Sequence, residues 1–277
     1  MKSLCLTRRR AFALFAALST LPLLSACGPA PKAEEIKAPV LDFGYLQAPV
    51  LTSARVSGAM VVLSGRSANA ARVRLSSPYG QALGTTASDA GDWSIEVPAA
   101  LNSAEPLQIY GLSQDLDGRQ VQAEGYIAVL PDALTPAVLL RAGTGARPIG
   151  PRRAGLATVI ITDFDDVGGL AVSGQAALGQ EIKAALDGVW GAQGRAGRDG
   201  HFSLALSGAT RPGAHQVSLQ IGARTLVLPL DIQPARLAAG RLFKSTRLQG
   251  GWRIDWTTPS GGVQSSMVMV PSPQGQV

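Results

Sequence analysis

Few residues in this 277-residue sequence have the types and spacing that chemistry needs. Thiols occur only at Cys5 and Cys27. In Leu24-Ser25-Ala26-Cys27 the thiol is the one side chain able to form a thioether, and the small Ser25 and Ala26 let an extended chain enter a peptidase. Histidine occurs only at His201 and His215, and no His/Cys/Asp group has the spacing of a zinc site, so both read as ordinary strand residues. A serine nucleophile would need a motif such as Gly-x-Ser-x-Gly or Ser-x-x-Lys, and neither occurs. Asp163, Asp165 and Asp166, and separately Asp115-x-Asp117-Gly118, offer the oxygen ligands that Ca²⁺ favours. Neither completes a calcium-loop motif, so both read as solvated turns. Gly143-Thr144-Gly145 could open a dinucleotide loop, but Pro148 stands where the third glycine should be. Pro148 and Pro151 also deny the helix that would hold the phosphate. No catalytic residue, metal or cofactor is therefore expected. Trp252 and Trp256 share a strand face by alternation. They form either a ligand platform for a glycan or peptidoglycan, or core; a thin sheet needs their apolar area, which favours core.

The elements that carry these residues are strands. Met60–Leu63, Arg72–Leu75, Asp92–Val97, Leu107–Leu112 and Val121–Leu130 are short alternating or apolar runs, with turns at Gly80, Ala90-Gly91 and Asp117-Gly118. Helix-forming periodicity is almost absent, which points to an all-β chain. The second half repeats the first at an offset of 109: Val50/Val159, Leu63/Val172, Gly65/Gly174, Val73/Ile182, Gly91/Gly200 and Trp93/Phe202. Ser64-Gly65 matches Ser173-Gly174, and Gly91-Asp92-Trp93-Ser94-Ile95 matches Gly200-His201-Phe202-Ser203-Leu204. The glycines of both pairs read as turn residues with positive φ. A period this long means two whole domains rather than a solenoid.

Strand, Ser-Gly, charged-apolar strand, then Gly-x-aromatic-Ser-aliphatic resembles bacterial Ig-like domains, as does Pro212-Gly213 before a late strand. The resemblance implies a scaffold or binding role and carries no catalytic residues. The expected fold is two Ig-like β-sandwich domains in tandem, at 49–131 and 157–235, with a linker at 132–156 in which Ala137–Arg141 reads as a final strand or a linker strand. Residues 236–277, with Gln249-Gly250-Gly251, Trp252–Trp256 and Pro259-Ser260-Gly261-Gly262, read as a small C-terminal β-meander that must pack on something, the second sandwich first of all.

At the N-terminus, Lys2 and Arg8-Arg9-Arg10 precede an apolar run, Ala11–Leu24, too short to span a bilayer. Charge and length fit a secretory signal over 1–26. Leu24-Ser25-Ala26-Cys27 resembles the lipobox of bacterial lipoproteins, which implies acylation of Cys27 and cleavage before it. Arg8-Arg9-Arg10-Ala11-Phe12 also resembles a twin-arginine signal, so the export route stays open. Gly28 in place of aspartate leans toward the outer membrane under the enterobacterial sorting rule. Residues 27–48, opening Gly28-Pro29-Ala30-Pro31, read as an extended tether.

The net charge of +6 is concentrated in the signal. Its four basic residues and no acidic ones leave 21 basic against 19 acidic, which does not suggest nucleic acid. Arg147, Arg152 and Arg153 cluster locally and read as a solvated linker. The expectation is a non-enzymatic lipoprotein of the cell envelope, tethered on the periplasmic or outer side by Cys27 and holding a protein partner. A glycan-binding module and an accessory subunit of an envelope enzyme or export complex are the alternatives.

Overall fold

The computed structural model describes residues 45–99, 107–151, 159–206 and 211–269. All described strand pairings are antiparallel, and the described residues contain no helix. Accordingly, no helix there is long and apolar enough to cross a membrane.

Four sheets build the fold. The first has the order β1-β2-β5, with β1 Val50–Ser57, β2 Met60–Arg66 and β5 Asp92–Pro98. The second contains β3 (Arg72–Ser76), β4 (Ala82–Thr86), β6 (Gln108–Leu116), β8 (Tyr126–Val129), β9 (Ala137–Leu140) and β10 (Arg147–Ile149), in the order β10-β9-β8-β6-β3-β4; β7 (Arg119–Gln122) pairs with β6. The third contains β11 (Ile160–Asp165), β12 (Leu170–Gln175), β15 (His201–Leu206), β18 (Phe243–Leu248), β19 (Gly251–Thr257) and β20 (Val263–Met269), in the order β15-β12-β11-β20-β19-β18. The fourth has the order β14-β13-β16-β17, with β13 Glu181–Leu186, β14 Val189–Arg195, β16 Gly213–Ile221 and β17 Arg224–Ile232.

The sequence repeat is a repeat of topology. β1 to β5 correspond to β11 to β15 at the offset of 109. From β6/β16 onward the offset is 105, because β16 begins four residues sooner after the start of β15 than β6 does after the start of β5. The register repeats as well: Gly65 lies opposite Trp93, and Gly174 opposite Phe202. This corrects the turn reading of Gly65 and Gly174. Both sit inside strands, and the ring across the ladder is the reason for the missing side chain. A Cβ on Gly65 would strike the Val50 carbonyl oxygen and come within 2.5 Å of the Trp93 ring; one on Gly174 would lie 3.0 Å from the Phe202 ring. Gly91 and Gly200, with φ of 80° and 73°, do occupy the left-handed region expected of them.

Three hydrophobic cores separate the four layers. Trp93, Ile95 and Val97 alternate into the first core and meet Val73, Leu75, Tyr110 and Leu112 of the second sheet. Phe202, Leu204 and Leu206 of the third sheet meet Ile182, Val217 and Leu219 of the fourth. Another core lies between the second and third sheets. Ile109, Ala128, Leu130, Val138 and Leu140 pack there against Ile161, Trp252, Ile254, Trp256 and Val268. On its first-sandwich side β8 and β9 are buried on both faces, hence their continuous apolar runs, such as Ile127-Ala128-Val129-Leu130. The same position behaves differently in the two repeats: Val50 is 53% exposed, and Val159 is 1% exposed beneath the neighbouring sandwich.

Two expected segments take a different form. The stretch 132–156, read as linker, holds β9 and β10, which extend the second sheet. β9 falls on the Ala137–Arg141 run that reads as a final strand or a linker strand, whereas the three residues of β10 lie in Gly/Pro/Arg-rich sequence that gives no strand signal. The C-terminal meander β18-β19-β20 forms in the expected order. It is no separate sheet, because β20 pairs with β11 along Ile160–Asp165 and supplies the partner that the β11 edge lacked.

Candidate functional site

Cys27 and the cleavage residues Leu24, Ser25 and Ala26 lie outside the described residues, as do Arg152 and Arg153. The tryptophan platform does not exist as an exposed surface. Trp256 is 0% exposed and Trp252 is also buried, both in the core between the sandwiches. Tyr126 of the first sandwich meets Phe243 and Trp256 edge-on, at centroid distances of 4.6 and 6.0 Å. The indole N–H of Trp256 donates to Ser266 Oγ at 3.2 Å. A sugar has no access to either ring face.

Two of the acidic residues, Asp165 and Asp117, shape turns of the scaffold. Asp165 Oδ1 accepts from the N–H groups of Val167 and Gly169, closing its own turn. Asp117 and Gly118, with φ of 54° and 77°, form the two-residue hairpin between β6 and β7. Among the described residues, no group of three or more His, Cys, Asp or Glu is placed to hold a metal ion.

Asp163 has a different role. It is buried where the β9–β10 loop crosses the third sheet, and its Oδ2 accepts from the Ala146 N–H at 2.7 Å. Its Oδ1 accepts from Ser266 Oγ and from Gln264 Nε2. Gln264 in turn donates to the Arg141 carbonyl. Ser173 and Ser203 donate to the carbonyls of Ala146 and Thr144. Arg147 reaches Asp199 at 3.0 Å. Gly143-Thr144-Gly145 thus lies flat on the sheet, and a Cβ on Gly145 would sit 2.5 Å from Ser203 Oγ. The equivalent serines of the first repeat, Ser64 and Ser94, hydrogen-bond to each other in solvent. Burial pushes the Asp163 carboxyl above its ordinary value, outweighing the bonds from Ser266, Ala146 and Gln264 that pull it down. A charged residue next to Thr162 at the end of the apolar Val159–Ile161 run is the sequence signal for this clasp; from the sequence alone it reads as part of a solvated turn.

His215 joins the β13–β14 turn to β16. Its Nδ1 faces Asp187 Oδ2 and its Nε2 faces the Arg211 carbonyl, each at 2.7 Å. A neutral imidazole can donate to only one of these oxygens, so the charged form is favoured. The bonds to Asp187 and to Arg211 raise the His215 pKa above 6.5, and the His215 bond is the main cause that lowers Asp187 below 3.8. The histidine's share of stability is complete below pH 6.5 and is lost as pH rises through its raised pKa; that of Asp187 is present above 3.8 and lost as pH falls through its lowered one. In an NMR titration His215 should show a midpoint above 6.5 that drops in Asp187→Asn. An unchanged midpoint in that variant would remove the carboxylate as the cause.

One groove brings a turn of the first repeat together with the segment that enters β18. Tyr79, Ala238, Arg241, Phe243, Lys244 and Ser245 line a depression of about 310 Å³. Tyr79 is presented by the turn Ser77-Pro78-Tyr79-Gly80. There Gly80, at φ 89°, donates to the Ser77 carbonyl, and the Tyr79 N–H donates to Ser77 Oγ. The Arg241 guanidinium lies 5.8 Å from the Tyr79 ring centroid. Ser245 Oγ accepts from the Leu107 N–H at 2.9 Å, which fixes this strand to the first sandwich.

The sequence matches no protein-family model and no curated relative. Solved structures similar to it at low scores include the following two. One is described as "Biofilm associated protein - BSP domain", with 13% identity and a TM-score of 0.25 over 70% of this chain and 30% of that one. The other is described as "Ca2+-stabilized adhesin helps an Antarctic bacterium reach out and bind ice", with 14% identity and a TM-score of 0.23 over 82% of this chain and 66% of that one. This chain therefore spans 30% and 66% of their lengths, and at such scores neither lends it a function.

Proposed function

We propose that this protein is a non-enzymatic, lipid-anchored scaffold of the bacterial cell envelope, in which two Ig-like sandwiches hold or space a partner protein at the membrane. The core between the second and third sheets carries this reading. It ties the two repeats by apolar packing and the Asp163 clasp, so that surfaces on both are presented at a set separation. The shifted ionisable groups Asp163, Asp187, Asp199, His215 and Tyr110 bind backbone or neighbouring side chains of the scaffold itself, which suits a framework better than an acid/base site. Cys27 would carry the acyl chains. Each buried methylene contributes about 0.8 kcal/mol, and two or more chains make a stable anchor.

Intact mass and membrane fractionation of the wild type beside Cys27→Ala test the anchor. The wild type should carry lipid and sediment with membranes, while the variant is soluble and otherwise folded. Identical fractionation of the two, with no added mass on Cys27, would leave a soluble exported β-protein.

A further inference from the structure

We infer that the groove between Tyr79, Arg241 and Lys244 is a binding site for a carboxylate-bearing saccharide. Three features converge there. The first is an aromatic ring held open to solvent. Tyr79 is 51% exposed even with Arg241 over its ring, and its turn is fixed by the Ser77 bonds and by Pro78. A ring held in place loses little freedom when a ligand stacks on it. The C–H face of a sugar is the partner that such an apolar surface takes from water.

The second feature is unbalanced positive charge. Arg241 and Lys244 are exposed, and among the described residues no carboxylate lines the groove and neither cation has an ion-pair partner. Elsewhere on the protein Arg66, Arg147 and Arg253 are paired with aspartates. Arg241, already over part of the Tyr79 ring, and Lys244 at the edge of the groove fit an acidic sugar, whose carboxylate accepts charge-assisted hydrogen bonds while its ring covers the exposed part of the aromatic.

The third feature is construction. Tyr79 comes from the β3–β4 turn of the first repeat, and Arg241, Lys244 and Ser245 from the segment that enters β18. Phe243 forms the floor, buried and in contact with Tyr126. The walls are positioned by the core between the sandwiches, so the groove exists only when the two are docked. Its volume, about 310 Å³, is at the small end for ligand pockets and suits one or two sugar rings. The site does not depend on whether Cys27 is acylated, so its failure would leave the anchor untouched.

Calorimetric titration of the purified full-length protein with trigalacturonate, beside neutral maltotriose and inorganic phosphate, tests the assignment. Trigalacturonate should bind, more weakly as salt is raised, and the other two should not compete with it. Tyr79→Ala and Lys244→Gln should each weaken binding about tenfold, within the range for truncating a central contact residue. Tyr79→Phe should retain it, as should Lys183→Gln, which removes a cation elsewhere. Each substitution is at an exposed side chain, and unchanged melting curves confirm folding. No heat with trigalacturonate, equal binding of maltotriose, or equal affinity in Tyr79→Ala would each overturn the proposal; the last would reduce the groove to a site for small anions.

Discussion

Trp256→Ala should destabilise the protein by about 3–5 kcal/mol, the usual cost of removing a large aromatic from a packed core. Trp256 is fully buried, contacts Tyr126 of the other sandwich, and donates its indole N–H to Ser266. Alanine would leave a cavity between the second and third sheets and an unused acceptor at the clasp. Trp190→Ala provides the comparison within the same protein. Trp190 is 56% exposed on β14, and its loss should change stability by no more than about 0.5 kcal/mol. Urea unfolding of both variants measures the contrast. Hydrogen exchange should show the lost protection first in β8, β9 and β19, which border the cavity. A Trp256→Ala cost below about 1 kcal/mol would mean that this core contributes little to holding the sandwiches together.

Asp163→Ala should cost about 2–4 kcal/mol, because it leaves the buried Ala146 N–H without an acceptor and frees Ser266 and Gln264. The carboxyl also makes stability depend on pH. Its folded pKa lies above 3.8, so the folded state holds the proton more tightly than the unfolded chain. This contribution is complete below pH 3.8, falls as pH rises through the raised folded value, and is flat beyond it. Asp163→Asn keeps the shape but cannot titrate, so the difference in unfolding free energy between wild type and Asn variant should slope downward across that window. A difference that is constant with pH would show that Asp163 keeps its ordinary pKa in the fold.

The sequence repeat and the strand alternation were legible because each follows from local rules. Trp93-x-Ile95-x-Val97 must point to one face of any strand that contains it, and a gap-free offset of 109 must reproduce the same ladder. Gly65 and Gly174 show where such reading stops. Their recurrence was visible, but the choice between a positive φ and a ring across the ladder depends on a partner almost thirty residues away. Val121–Leu130 was read as one strand and is two, β7 and β8, because Gly125 turns the chain with φ 80° directly against the Leu140 carbonyl.

The sequence by itself determined an all-β chain with two homologous halves and an aromatic face on the C-terminal strands. Only the tertiary structure decided what that face covers. Trp252 and Trp256 would lie on the same strand face whether a sugar or a protein layer met them, since alternation specifies a side and not its occupant. The same holds for Asp163, whose burial comes from a loop that crosses it, and for Tyr79 and Arg241, which become neighbours only when the two sandwiches dock. Strand periodicity is a property of the local backbone, whereas burial and juxtaposition are properties of the layers stacked on it.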